Sequence, residues 1–177
     1  LAIYGHFTPA GTQLLTPELA GQVTYDSNFY GVERELHSMG NIHYVPTHLS
    51  QTPAWLVARH PRVAALTCSP PDAEGWMSRS LWGTCLNRKL LEQCQLVLVE
   101  VNPRMPNIMS DGEEHTRLHV SEVDGIIFSN RPLVETPIVT GNEADQKIAG
   151  YIADLVPDGA CLQLGLGGLA NIVGECL

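Results

Sequence analysis

Apolar residues along this chain gather into short runs bounded by turn residues. Five of the runs have strand length and β-branched content. They cover positions 41–46, 63–69, 95–101, 125–128 and 160–165. Between and after them the spacing turns helical. Positions 52–60 follow Ser50, a capping residue; positions 84–93 place Leu86, Leu90 and Leu91 on one side. Positions 143–155 put Ile148, Ile152 and Leu155 on one stripe, behind Thr140 and Asn142 as capping candidates. Positions 169–177 begin a last helix.

Val63-Ala64-Ala65-Leu66 and Leu96-Val97-Leu98-Val99 are continuously apolar rather than alternating, the pattern of strands covered on both faces. The expected class is α/β, with a mostly parallel sheet flanked by helices. Such sheets bind ligands at the carboxyl ends of their strands. Here those ends read Ser69-Pro70-Pro71-Asp72-Ala73-Glu74-Gly75, Glu100-Val101-Asn102-Pro103 and Gln163-Leu164-Gly165-Leu166-Gly167-Gly168. Three polar or glycine-rich ends in one sheet would form a shared site. Positions 105–119 read as a long polar loop.

The last of those ends carries the most chemistry. A strand running into Gly165, Gly167 and Gly168 and then a helix leaves N–H groups without covering side chains at the positive end of a helix dipole. That arrangement binds phosphate, carboxylate or a developing oxyanion. Its plain alternative is a tight strand-to-helix turn with no ligand. Gln163, two residues earlier, shares a strand face with Gly165 and could bond a substrate carboxylate or a neighbouring strand end. Asn102 and Glu100 alternate onto one face in the same way. Ser69 and Asp72 suit a local turn in which the Asp side chain accepts from backbone N–H groups.

Composition narrows the partners. The 177 residues are 44% hydrophobic and 16% charged, a globular balance. No apolar run reaches the roughly 18–20 residues that cross a bilayer, so a soluble chain is expected. Ten basic and 19 acidic residues give a net charge of −9, which repels nucleic acid and anionic lipid surfaces. Any phosphate or carboxylate site therefore rests on local dipoles. Five cysteines without a C-x-x-C pair suit a reducing cytoplasm. Cys68, Cys94 and Cys161 sit in or beside apolar runs and read as small buried hydrophobes. His115 and His119, beside Glu113 and Glu114, have metal-ligand spacing only if helical. Asp111-Gly112 argues for an acidic loop instead, and no metal is expected. Ser78 and Ser80 lack the glycine-flanked elbow of a nucleophilic serine.

Six segments in order resemble the acetyl-CoA hydrolase/transferase family, whose members include 4-hydroxybutyrate, butyrate and acetate CoA-transferases. Ser27-Asn28-Phe29-Tyr30-Gly31 with Arg34 and Gly40 is similar to its early segment, followed by Tyr44-Val45-Pro46 with Leu49, Ser50 and Pro53. Positions 69–75 resemble its SPxDxxG turn, positions 99–106 its EVNxxMP strand end, and positions 119–124 its HxSxxD segment. Positions 158–168 resemble DGxxLQxGxGG, although Leu169-Ala170-Asn171-Ile172 stands where many members have Ile-Pro-Asp-Ala.

The resemblance implies an open sheet of the CoA-transferase type and ping-pong transfer of CoA between an acyl-CoA and a short carboxylate, by way of a glutamyl-CoA thioester. It implies coenzyme A as substrate and Gln163, Gly165, Gly167, Gly168 and Asn102 as substrate- or oxyanion-binding residues. It places the nucleophilic glutamate beyond Leu177, so no catalytic residue is expected in positions 1–177, and it makes Glu100 structural. The stretch is then expected to be an N-terminal domain portion, incomplete at both ends, inactive alone and prone to self-association, with a catalytic C-terminal domain as its missing partner. A homo-oligomer is expected of the whole. Hydrolysis instead of transfer stays open. So does a dinucleotide-binding domain, because Gly165-Leu166-Gly167-Gly168-Leu169-Ala170 formally fits G-x-G-x-x-A, and so does a non-catalytic subunit.

Overall fold

The computed structural model describes residues 1–5, 13–29, 37–80, 86–108, 116–135, 141–165 and 167–177. Two compact units emerge, Leu1–Val134 and Glu135–Leu177.

In the first unit, β1 (Ala2–Gly5), β2 (Thr24–Ser27) and β3 (Ile42–Tyr44) form a parallel sheet in that order. Leu15, Val23, Tyr25 and Ile42 are its buried core. Helix α1 (Thr52–Ala58) then leads to a second parallel sheet, ordered β4 (Val63–Cys68), β6 (Leu96–Val101), β8 (Gly125–Phe128). Between β4 and β6 run β5 (Trp76–Ser78) and helix α2 (Arg88–Gln93). β7 (Arg117–His119) pairs antiparallel with β5.

Four of the five expected strands are present, and Gly125–Phe128 keeps its expected bounds. The arrangement differs from one sheet covered on both faces. Ala64, Leu66 and Cys68 on β4 and Val97, Val99 and Val101 on β6 point into a single core. The β5–β7 ribbon closes that core with Met77 directly opposite Leu118, both buried. Val63 and Leu96, on the other face, are exposed. The continuous apolar run asks for cover on both faces, and the described residues of this unit supply it on one. Arg117–His119 is a strand inside what reads as a polar loop, because its partner lies 40 residues upstream, beyond any local signal.

Helix α2 starts at Arg88, later than the spacing suggests. Asn87 caps it by accepting from the Leu90 N–H at 2.9 Å. Positions 84 and 85 of the expected helix lie outside the described residues, as does the candidate cap Thr140.

In the second unit, α3 (Glu143–Ala153) is capped by Asn142, which accepts from the Ala144 and Asp145 N–H groups while Asp145 accepts from the Asn142 N–H. It packs on α4 (Gly168–Cys176) through Ala149, Ile172 and Val173. The expected strand at 160–165 is absent: these residues are exposed and join no ladder among the described residues. A parallel strand exists only through a neighbour distant in sequence, so its apolar pattern is insufficient alone. Cys161, expected as a buried hydrophobe, is consequently exposed, whereas Cys68 is fully buried.

Candidate functional site

Parallel strands deliver their carboxyl ends to one edge, and β4 and β6 do so in register, with Thr67 opposite Glu100 and Cys68 opposite Val101. β4 runs out into Ser69, whose buried hydroxyl accepts from the Ser78 N–H at 2.9 Å and donates to the Pro70 carbonyl. Asp72 forms the expected turn, its Oδ1 accepting from the N–H groups of Glu74 (3.1 Å) and Trp76 (2.8 Å). Gly75 closes this turn at φ +91°, where a Cβ would stand 2.7 Å from His119 Nε2. That nitrogen donates to the Glu74 carbonyl at 2.9 Å, while Nδ1 faces the Ser121 hydroxyl at 2.7 Å.

Two costs converge at Gly75, a left-handed backbone and a displaced histidine. Gly75→Ala is expected to lower stability by about 1–3 kcal/mol, read as a lower urea midpoint at unchanged slope. An unchanged midpoint would show that the turn does not hold the histidine.

Glu100 is the last residue but one of β6, and Asn102 directly follows the strand. Arg131 Nη2 lies 2.9 Å from both carboxylate oxygens of Glu100, and Thr67 reaches it from β4. A hydrogen bond from Ser129, with Arg131 and Thr67 in support, holds the Glu100 carboxyl below its ordinary value of 4.5 despite partial burial. Glu100 therefore ties the ends of three strands together, as the structural reading expects. A depressed folded pKa means stability that is present above pH 4.5 and lost as pH falls through the folded value. Glu100→Gln is thus expected to flatten the acid limb of a stability-versus-pH curve. A mutant whose midpoint tracks the parent from pH 6 to pH 3 would exclude this role.

Asn102 is buried, with Nδ2 donating to the Arg131 carbonyl and Oδ1 accepting from the Arg104 N–H, both at 3.0 Å. Its amide orders the loops that follow β6 and β8. Nothing in the sequence marks Arg131 or Ser129, because each meets Glu100 only through the β6–β8 pairing.

Sequence reading also missed Arg79. Its side chain is buried beside Cys68; one nitrogen donates to the Leu86 carbonyl and Nε has no partner. Burial lowers its pKa and pushes the Cys68 thiol up to about 11, against the pull of Arg79. A thiol so protonated is no nucleophile near neutrality.

Of the candidate metal-ligating residues, Glu113, Glu114 and His115 lie outside the described residues. The His119 ring is engaged by Glu74 and Ser121. Among the described residues no cluster of three or more His, Cys, Asp or Glu side chains is placed to hold a metal ion. No helix described is long and apolar enough to cross a membrane.

In the second unit, the glycine loop precedes α4. Gly167 is its N-cap at φ +148°, backbone that favours glycine, and no side chain caps the helix. A Cβ on Gly165 or Gly167 would meet nothing within 4 Å. Gln163, Gly165 and Gly167 are exposed and Gly168 half-buried as the first helical residue. The first-turn N–H groups of α4 thus start from an open, uncapped end. The strand that would set Gln163 and Gly165 on one face is missing.

Residues 22–139 match the acetyl-CoA hydrolase/transferase N-terminal domain. The chain belongs to this family. Its relatives include the succinyl-CoA:cyclohexane-1-carboxylate CoA transferase of Geobacter metallireducens, 36% identical over 82% of this chain. The butyryl-CoA:acetate CoA-transferase of Anaerostipes caccae is 33% identical over 83%. The chain spans about a third of the length of these two relatives (32% and 33%). Among solved structures, RipA from Yersinia pestis superimposes with a TM-score of 0.84 at 32% identity, over 98% of this chain and 42% of that one. The 4-hydroxybutyrate CoA-transferase of Porphyromonas gingivalis, at a TM-score of 0.67 and 22% identity, shares the fold over 99% of this chain and 46% of its own. The α/β architecture expected from the strand-end motifs is therefore that of the CoA-transferase N-terminal region.

Proposed function

We propose that this chain is the N-terminal part of an acyl-CoA:carboxylate CoA-transferase, supplying the glycine loop to a site whose nucleophilic glutamate lies outside residues 1–177. The observation that carries the reading is the open end of α4, with Gly167 as a side-chain-free cap and Gly165 unobstructed. In the reaction, the glutamate carboxylate attacks the acyl-CoA carbonyl and CoA thiolate leaves, giving a mixed anhydride. The thiolate then attacks the glutamyl carbonyl and releases the first carboxylate. A second carboxylate takes over the CoA by the reverse steps, and each tetrahedral oxyanion needs donors already in place. The N–H groups around Gly165, Gly167 and Gly168 fill that role in this reading, with Gln163 orienting the carboxylate and Asn102 holding the loops after β6 and β8.

Short aliphatic or alicyclic carboxylates are the substrate class, on the strength of what the relatives are named for. Coenzyme A is the co-substrate, no metal takes part, and the four described free cysteines suit a reducing cytoplasm. The dinucleotide alternative asks for a strand directly before the glycines, and residues 160–165 form none among those described.

The test is transfer of CoA from acetyl-CoA to butyrate, followed for residues 1–177 alone and for the full reading frame. Parallel-line kinetics in the full product and none in the short chain are expected. Turnover by the short chain would defeat the placement of the nucleophile, and micromolar binding of NADH would favour the alternative.

Exposed Ile127, Phe128, Tyr151 and Leu155 lead to a further expectation. Residues 1–177 by themselves should self-associate in light scattering, and a concentration-independent monomer would show that these apolar surfaces tolerate water.

A further inference from the structure

The neighbouring strands β6 and β8 end level with one another, Val101 opposite Phe128. Three residues past each end stands an arginine, Arg104 after β6 and Arg131 after β8. One buried amide fixes both main chains. Asn102 accepts from the Arg104 N–H and donates to the Arg131 carbonyl, each at 3.0 Å. Arg104 Nε in turn donates to Asn130, at 3.1 Å to its side chain and 3.4 Å to its carbonyl, so its guanidinium is held beside the residue that precedes Arg131. Both arginines are exposed, at the carboxyl edge where open α/β sheets take their ligands.

Elsewhere in this acidic chain the arginines meet carboxylates: Arg59 lies against Asp26, Arg88 against Glu122 and Arg117 against Asp72. Arg104 has no carboxylate partner among the described residues. Arg131 meets Glu100 through Nε and Nη2 and leaves Nη1 without an acceptor among them. Two guanidinium groups against one carboxylate leave this edge with a positive charge, although the chain as a whole carries −9.

We propose that Arg104 and Arg131 form a phosphate-binding subsite for the nucleotide end of coenzyme A. A phosphate monoester carries nearly two charges near neutrality and offers three acceptor oxygens, which suits two guanidinium forks reaching out from adjacent strand ends. A carboxylate carries one charge and gains little over water at an exposed arginine. The exposure of the pair fits a group that stays hydrated, whereas thioester chemistry asks for a site closed to water. Glu100 competes with the ligand for Arg131 and holds that side chain in place while the subsite is empty. The identity of the ligand rests on the CoA-transferase reading; the anion subsite itself rests on the placement of the two arginines.

The probe is adenosine 3′,5′-bisphosphate, which carries phosphates but neither thiol nor acyl group, titrated into the full-length protein by calorimetry. Arg104→Gln and Arg131→Gln are each expected to weaken its binding about fivefold, and Arg104→Lys, which keeps the charge, to weaken it less. Glu100→Gln removes the competitor for Arg131 and should tighten binding by about twofold or more. Pantetheine, which has no phosphate, should not distinguish these variants from the parent. Unchanged affinity for the bisphosphate in both glutamine variants would overturn the proposal. So would displacement of the bisphosphate by succinate as readily as by inorganic phosphate, since the pair would then read carboxylates. Loss of CoA transfer with bisphosphate binding retained would defeat the proposed function and leave the subsite. Normal transfer with an unchanged KM for acetyl-CoA in both glutamine variants would remove the subsite and leave the function.

Discussion

Met77→Ala is expected to cost about 2–5 kcal/mol, the largest stability loss among single truncations in the first unit. Met77 is fully buried, and it faces Leu118 across the ribbon that closes the β4–β6 core. Truncation removes apolar contact and leaves a cavity within the buried cluster that also holds Val99 and Cys68. Domains of this size are stable by only about 5–15 kcal/mol, so the variant should populate unfolded chain at modest urea. Met77→Leu keeps the volume and should cost less than about 1.5 kcal/mol. Chemical denaturation of both variants checks the claim. A midpoint for Met77→Ala within error of the parent would show that the ribbon is peripheral to the core.

A second large effect is expected in catalysis. On the function proposed above, Gly167→Ala in the full-length protein should lower kcat/KM by about 100-fold or more, the scale on which single oxyanion donors act. Two causes would contribute, strain at φ +148° and displacement of N–H groups from the ligand. Gly165→Ala separates them. Gly165 has room for a methyl group and no left-handed backbone, so its variant should keep its melting temperature and lose activity only if a ligand approaches that close. Steady-state kinetics and thermal melts on the same preparations give the answer. Full activity in both variants would remove the loop from the reaction, and the proposed function with it.

How much of this was legible beforehand depends on the range of the interactions involved. Asn142 with Asp145, and Asp72 with the N–H groups of Glu74 and Trp76, are contacts within four residues, and the sequence displays them directly. The apolar runs at 63–69 and 95–101 were equally plain, because β-branched residues favour strands wherever they pair. Arg131 against Glu100 lies 31 positions away, and β7 against β5 about 40, so no local pattern foretells either. The run at 160–165 is the reverse case. It has the composition of a strand and joins no sheet among the described residues, because composition supplies a preference and only a neighbour supplies hydrogen bonds.

By itself, then, the sequence determined the α/β class, the family and the glycine-rich start of the last helix, since each is written in short-range pattern or in motif order. Tertiary structure alone decided that Asn102 is buried holding two loops, that Glu100 belongs to Arg131, and that the β5–β7 ribbon closes the core over β4 and β6. Those outcomes depend on which distant segments pair and what they bury, and burial is a property of the assembled chain.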